Sequence, residues 1–199
     1  PDLSLADAAH TLRVGRKHFA QRAVVVADSV AAASAALRAA DAPQAATGKA
    51  DGWEPQAVFM FPGQGSQYPG MGSSLYASDR AFRAAFDACL QAFEGHLPFN
   101  LQERMFSRDP AALAPTSVTQ PATFALEYAL ARQWMILNDA PAALLGHSVG
   151  EFAAAVLAGV MSLADAARLV AHRGALMQAL PAGAMLSVRA AAAELAPRL

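Results

Sequence analysis

Apolar positions along the chain alternate between helical spacing and short aliphatic runs. Over 5–14, Leu5, Ala8, Ala9 and Leu12 share one helical face and Gly15 supplies a stop. The β-branched run at 24–26 predicts a strand, and "SVAAASAALRAA" predicts a helix with Ser29 as its N-cap. Helix, strand and helix together make a small α/β unit. The stretch 41–54 has no periodicity and is rich in Ala, Gly, Pro and charge, so a linker and a domain boundary are expected there. The apolar run 57–61 predicts a buried strand that halts at Pro62 and enters the glycine-rich loop "PGQGSQYPGMG". Phe82, Phe86, Leu90 and Phe93 keep helical spacing. The stretch "TQPATFALEYALARQWMIL" predicts a helix starting near Pro121, where proline suits a first turn. "AALLG" at 142–146 predicts a short strand and 151–157 a helix. In the next helix Ser162 and Asp165 have capping-box spacing, and Leu163, Ala166, Val170, Gly174 and Met177 share a face. "GAMLSVRAAAAELAPRL" predicts a strand and then the beginning of a helix.

Strands separated by helices imply parallel pairing with helices on the sheet faces, and such sheets collect function at the carboxyl ends of their strands. The loops after Phe61 and after Leu145 both lie there. Charge adds little: 15 Lys and Arg against 16 Asp and Glu leave a net charge of −1, with no basic field for nucleic acid. No run of about 18 apolar residues exists to span a bilayer. A chain of 199 residues buries a core without a disulfide or a metal. The single cysteine, Cys89, cannot staple the fold and points to a reducing compartment, so a cytoplasmic protein is expected. The opening "PDLSLADAAH" has neither an initiator methionine nor a signal-peptide pattern, and reads as part of a longer chain.

The stretch "LLGHSVGEFAAAVLAG" carries the chemistry. In a strand, turn, helix setting, Gly146 and Gly150 flank Ser148 in the G-x-S-x-G pattern, which lets the backbone turn sharply and exposes a serine hydroxyl. Ser148 is then either a nucleophile or a cap for the helix that follows. A nucleophile needs N–H donors for a developing oxyanion. Val149, directly after it at a helix start, offers one, and the "PGQGSQ" loop offers another unless that loop is only a tight turn. Arg173 lies among Leu169, Val170, Leu176 and Met177, where a partly shielded guanidinium can hold a carboxylate bidentately or snorkel to the surface.

Taken together, "FPGQGSQYPGMG", "TQPATFALEYAL", "GHSVGEFAAAVLAGVMSLADAARLVAHRGALMQ" and "GAMLSV" resemble the acyltransferase domains of modular polyketide synthases, relatives of malonyl-CoA:acyl-carrier-protein transacylase. The first 50 residues resemble the linker domain between ketosynthase and acyltransferase. The resemblance implies an α/β-hydrolase-like large subdomain with a parallel sheet at 51–180, a small α/β linker domain at 1–50, and the start of a ferredoxin-like small subdomain at 181–199. It implies transfer of a malonyl extender from malonyl-CoA to the phosphopantetheine thiol of an acyl carrier protein, in antibiotic-type polyketide biosynthesis. Ser148 matches the nucleophile. Gln64 and Val149 match the oxyanion-hole donors, Arg173 the partner of the substrate carboxylate, and Gln120 a position lining the acyl pocket. No metal or bound cofactor is implied. Val149 stands where methylmalonyl-selective relatives often carry glutamine, which favours malonyl.

The expected partners are the carrier protein, an adjacent ketosynthase of the same polypeptide and the C-terminal half of the acyltransferase. A serine hydroxyl needs a base. The family's histidine lies beyond the arginine motif and outside these 199 residues, so the chain alone is expected to be inactive. His147 adjoins the nucleophile and points away from it, His172 is about 100° round the helix from Arg173, and His10, His18 and His96 lie outside the motifs. Two alternatives remain: an α/β-hydrolase esterase or thioesterase, or a catalytically silent linker and docking scaffold.

Overall fold

The computed structural model describes residues 3–39, 42–50, 52, 56–137, 140–181, 183 and 188–196. It divides into two units, Pro1–Pro55 and Gln56–Leu199. In the first unit α1 (Leu5–Val14) starts at Ser4, whose hydroxyl accepts from the Asp7 amide, and stops at Gly15. Strand β1 (Gln21–Val25) is followed by α2 (Val30–Arg38), capped by the Ser29 hydroxyl, which accepts from Ala32. The aperiodic stretch expected to be a linker holds a second strand, β2 (Ala45–Lys49), antiparallel to β1 in the register Gln21↔Lys49 to Val25↔Ala45. Its sequence, Ala-Ala-Thr-Gly-Lys, has no alternation to reveal it. Backbone pairing with β1 makes it a strand, since propensity is weak beside the ladder.

The second unit carries the chemistry. β3 (Val58–Phe61) and β4 (Ala143–Gly146) pair in parallel, Val58↔Ala143 to Phe61↔Gly146. The crossover between them runs through α3 (Ser73–Ser78), α4 (Arg80–Phe93), α5 (Leu101–Phe106), a 3₁₀ turn (Pro110–Leu113) and α6 (Thr116–Leu137). After β4 come α7 (Gly150–Leu157), α8 (Leu163–Gln178) and the short α9 (Ala192–Leu195). The strand expected within "GAMLSV" falls on residues outside those described. β3 is not buried on both faces as expected: Phe61 is in the core, but Val58 and Met60 are 54% and 72% exposed. Helices cover one face only among the described residues.

Helix α6 is the axis of this unit. From Val118 to Ala125 it is buried without interruption, as a helix packed on all sides must be. It begins at Thr116, five residues before Pro121, and not at the proline. Proline inside a helix leaves one i−4 carbonyl without its usual donor. Here tertiary packing overrides that cost: Pro121 is fully buried, and the Pro115 carbonyl accepts from both Val118 and Thr119 to start the helix upstream. Asp79 ties α4 to α6 by accepting from the Phe82 amide at 2.8 Å and from Gln133 Nε2 at 2.8 Å. The core is aromatic, with Phe82 and Phe86 stacked at 5.7 Å and Phe93 edge-on to Phe124 at 5.9 Å. Cys89 is fully buried inside it, and burial pushes its thiol far above the ordinary range.

One buried acid sits apart from the aromatic cluster. Glu127 is 6% exposed, neither carboxyl oxygen has a hydrogen-bond partner among the described residues, and burial raises its pKa to about 8. Between about pH 4.5 and about 8 the folded chain holds a proton that the unfolded chain has released. Stability is therefore expected to fall as pH rises through that window, by up to about 1.4 kcal/mol per pH unit, and to level off above it. Urea unfolding over a pH series checks this, and Glu127→Gln should flatten the slope.

Candidate active site

The elbow follows from close packing at the carboxyl end of the parallel pair. The His147 amide continues the ladder onto the Phe61 carbonyl at 2.9 Å, and the next residue turns back on itself. Ser148 has φ +55°, and it alone among the described non-glycine residues takes a positive φ. This left-handed conformation costs roughly 1–2 kcal/mol. The Gly150 and Glu151 amides hold it by donating to the His147 and Ser148 carbonyls at 3.0 and 3.2 Å.

Both flanking glycines are needed for the approach. A Cβ on Gly146 would lie 2.3 Å from the Glu151 nitrogen, and one on Gly150 2.4 Å from the Phe61 carbonyl oxygen. Gly146→Ala is expected to destabilise the chain by about 1–3 kcal/mol or more, because backbone and not a flexible side chain must move. Urea unfolding checks this against Gly48→Ala, whose Cβ meets nothing within 4 Å.

Arg173 reaches this turn from α8. Its Nη2 donates to Ser148 Oγ at 3.0 Å and its Nη1 to Gln120 Oε1 at 2.6 Å. Gln120, 1% exposed in the buried half of α6, also donates from Nε2 to Met177 Sδ at 3.1 Å. α6 and α8 approach closely here because Gly174 follows Arg173: a Cβ on it would sit 3.2 Å from Ser117 Cα. Half-buried Arg173 has no carboxylate partner among the described residues; its neighbour on α8, Arg168, pairs with Asp165 at the surface. The site thus presents a hydroxyl held against a cation with no anion.

The structure therefore brings Ser148, Arg173 and Gln120 into one hydrogen-bonded group. Val149 is fully buried and is the N-cap of α7, and its amide has no hydrogen-bond partner among the described residues. Gln64 does not bond to the group directly. Its side chain donates to Thr116 Oγ1 at 3.2 Å, at the first residue of α6. The neighbouring Gly63 packs on the elbow, where an added Cβ would lie 3.1 Å from the His147 carbonyl oxygen. No histidine among the described residues bonds to Ser148 Oγ, and His18 donates from Nε2 to the Arg13 carbonyl instead. Sequence reasoning placed Met177 beside Arg173 without foreseeing its bond to Gln120, and it missed Thr116 as a site neighbour. Met177 was legible as the residue four after Arg173, one turn along the same face. Thr116 lies upstream of the helix start expected from Pro121.

Among the described residues no helix is long and apolar enough to cross a membrane, and no group of three or more His, Cys, Asp or Glu is placed to hold a metal ion.

The family described as "Acyl transferase domain" matches residues 58–199, and the family "CurL-like, PKS C-terminal" matches 1–37. The chain is 47% identical over 190 residues to the phenolphthiocerol synthesis polyketide synthase type I Pks15/1 of Mycobacterium marinum, covering 93% of this chain and 9% of that one. The crystal structure of the acyltransferase domain from the second module of the salinomycin polyketide synthase is 45% identical, with a TM-score of 0.69 over 90% of this chain and 42% of that one. The acyltransferase domain of SpnD, solved in complex with 2-(pent-4-yn-1-yl)malonyl, is 39% identical, with a TM-score of 0.74 over 87% of this chain and 41% of that one. The chain thus spans about two-fifths of these solved domains and under a tenth of the synthase. It belongs to the acyl transferase domain family of the polyketide synthases.

Proposed function

We propose that the chain is the N-terminal portion of an acyltransferase that moves a malonyl unit from malonyl-CoA, through an ester on Ser148, to the phosphopantetheine thiol of an acyl carrier protein. The observation that carries this reading is the Arg173 guanidinium, bonded at once to Ser148 Oγ and to the buried Gln120. A planar cation suits a carboxylate bidentately. Beside a nucleophile it selects an acyl group that carries a free carboxylate at its far end. SpnD, a relative, is solved with a substituted malonyl group.

In the first half-reaction Ser148 Oγ attacks the thioester carbonyl while a base takes its proton. The tetrahedral oxyanion is held by the amides of Val149 and Gln64, and it collapses as the C–S bond breaks and the CoA sulfur takes the proton. The second half runs in reverse, with the carrier's thiol attacking the ester and Ser148 leaving. Gln120 acts through Arg173, fixing the plane of its guanidinium while Met177 occupies the other end of the amide. The base belongs to a part of the domain outside these 199 residues, so the chain alone loads no acyl group. Val149 in place of glutamine favours malonyl over methylmalonyl. In this reading 1–50 is the ketosynthase-to-acyltransferase linker domain, 51–180 the first part of an α/β-hydrolase-like subdomain, and 181–199 the start of a ferredoxin-like one. A ketosynthase adjoins it on the same polypeptide in the cytoplasm.

The test is to offer malonyl-CoA to a complete domain carrying these residues and to map the adduct by mass spectrometry. A mass increment of one malonyl group is expected on the Ser148 peptide, and labelling elsewhere would sink the reading. Transfer to a carrier protein faster than to water excludes an esterase.

A further inference from the structure

The N–H of Gln64 serves as a donor only if the peptide that carries it keeps one plane. That peptide joins Gly63 to Gln64, and a second glycine follows at Gly65 with φ +118°, so little in the backbone itself resists a turn of the plane. Three contacts resist it instead. Gly63 lies against the elbow, where an added Cβ would meet His147 Nδ1 at 2.5 Å. The Gly63 carbonyl accepts from Ser66 Oγ at 3.1 Å. The Gln64 side chain donates from Nε2 to Thr116 Oγ1 at 3.2 Å. The Gln64 amide itself has no hydrogen-bond partner among the described residues.

A trans peptide is planar, so its N–H points opposite to its C=O. By holding the Gly63 carbonyl, Ser66 fixes the direction of the Gln64 N–H, and a bond to the carbonyl also polarises that N–H as a donor. Ser66 belongs to the loop, as does Gln67, whose Oε1 accepts from the Gly65 amide at 2.8 Å. These bonds set the shape of the loop but not its place. Thr116 sets the place, because it is the first residue of α6. Gln120, which holds Arg173, stands four residues later, one turn along the same helix face. One turn of α6 therefore anchors both the Gln64 loop and the guanidinium. Gly174 fixes that turn against α8, where an added Cβ would lie 3.3 Å from the Thr116 carbonyl oxygen.

We propose that Thr116 and Ser66 are positioning residues for acyl transfer, holding the Gly63–Gln64 peptide so that its N–H meets the oxyanion formed at Ser148. The proposal rests on the reading of Ser148 as nucleophile and Gln64 as oxyanion donor, and it deepens that reading by naming what aims the donor. Both residues act through Gln64. Every acyl-CoA passes through the same oxyanion, so their effect is independent of a free carboxylate, unlike that of Arg173.

The experiment follows single-turnover acylation of Ser148 by malonyl-CoA and by acetyl-CoA, in a complete domain carrying these residues. Thr116→Val keeps the shape of the side chain and removes the acceptor, and Ser66→Ala removes the hydroxyl. Each is expected to slow acylation at saturating ester by about 3- to 10-fold, the scale of one hydrogen bond, with both esters and with half-saturation unchanged. Complete loss of an oxyanion donor acts on the scale of about a hundred- to a thousandfold, so a misaimed donor falls below it. Thr116→Ser, which keeps the hydroxyl, should recover most of the rate. Gln64→Met should match Thr116→Val, and the double variant should be no slower than either, because both remove one bond. Amide hydrogen exchange at 64–67 should quicken several-fold in Thr116→Val and not in Thr116→Ser. Unchanged acylation in Thr116→Val and Ser66→Ala, while Ser148 still loads in the unsubstituted domain, would overturn this proposal alone. A loss confined to malonyl would also overturn it, by assigning Thr116 to the Arg173 clamp, and so would equal losses in Thr116→Val and Thr116→Ser. No adduct on Ser148 in the unsubstituted domain would overturn the functional reading and the oxyanion role with it, leaving the exchange difference as the mark of a purely structural tether.

Discussion

Replacing Ser148 by alanine in a complete domain is expected to abolish the malonyl adduct and to lower transfer to the carrier protein by up to about a millionfold, the scale on which nucleophile removal acts in serine hydrolases. The elbow is the reason for so large an effect. Ser148 is held at φ +55° by two backbone hydrogen bonds and by glycines that no side chain can replace, so a neighbour cannot supply a hydroxyl at the same point. Alanine takes the same left-handed backbone at a similar steric cost, so the fold should survive and the loss is chemical. Unchanged urea unfolding together with a silent Ser148 peptide in mass spectrometry is the expected pair of results. A Ser148→Ala protein that still forms a covalent malonyl adduct and transfers it would exclude the acyl-serine pathway.

Arg173→Ala is expected to lower kcat/KM for malonyl loading by about 30-fold to several thousandfold, the equivalent of about 2–5 kcal/mol for truncating one partner of a buried, hydrogen-bonded charge pair. Acetyl loading should change far less, because acetyl has no carboxylate to meet the guanidinium. Arg173→Lys should recover only part of the loss, since an ammonium cannot span Ser148 Oγ and Gln120 Oε1 in one plane. Loading rates for both CoA esters on the complete domain check this. Equal losses would remove the carboxylate role and leave Arg173 as a prop for the nucleophile.

Much of this arrangement was legible in the chain. Ser29 and Ser162 cap the helices as the sequence predicted, and the runs before Pro62 and Gly146 are the two parallel strands. Helix caps and apolar runs act within a few residues, so local sequence determines them. Where the chain misled, a distant partner decided. Pro121 marks a first turn by propensity, yet α6 starts at Thr116 because the buried packing of its N-terminal half outweighs one missing hydrogen bond. β2 has no strand-like alternation and exists because β1 offers it a ladder. The run before Pro62 has the composition of a strand buried on both faces, but a second covering layer is absent among the described residues.

By itself the sequence determined the elbow and its serine, because a glycine, serine, glycine turn between a strand and a helix is a matter of adjacent residues. Only the tertiary structure decided that Arg173, 25 residues further on, donates to Ser148 Oγ, and that Gln120, 53 residues before that arginine, holds its other nitrogen. The physical reason is packing. Gly174 lets α8 approach α6 closely enough for their side chains to meet beside β4, and no spacing along the chain encodes that distance.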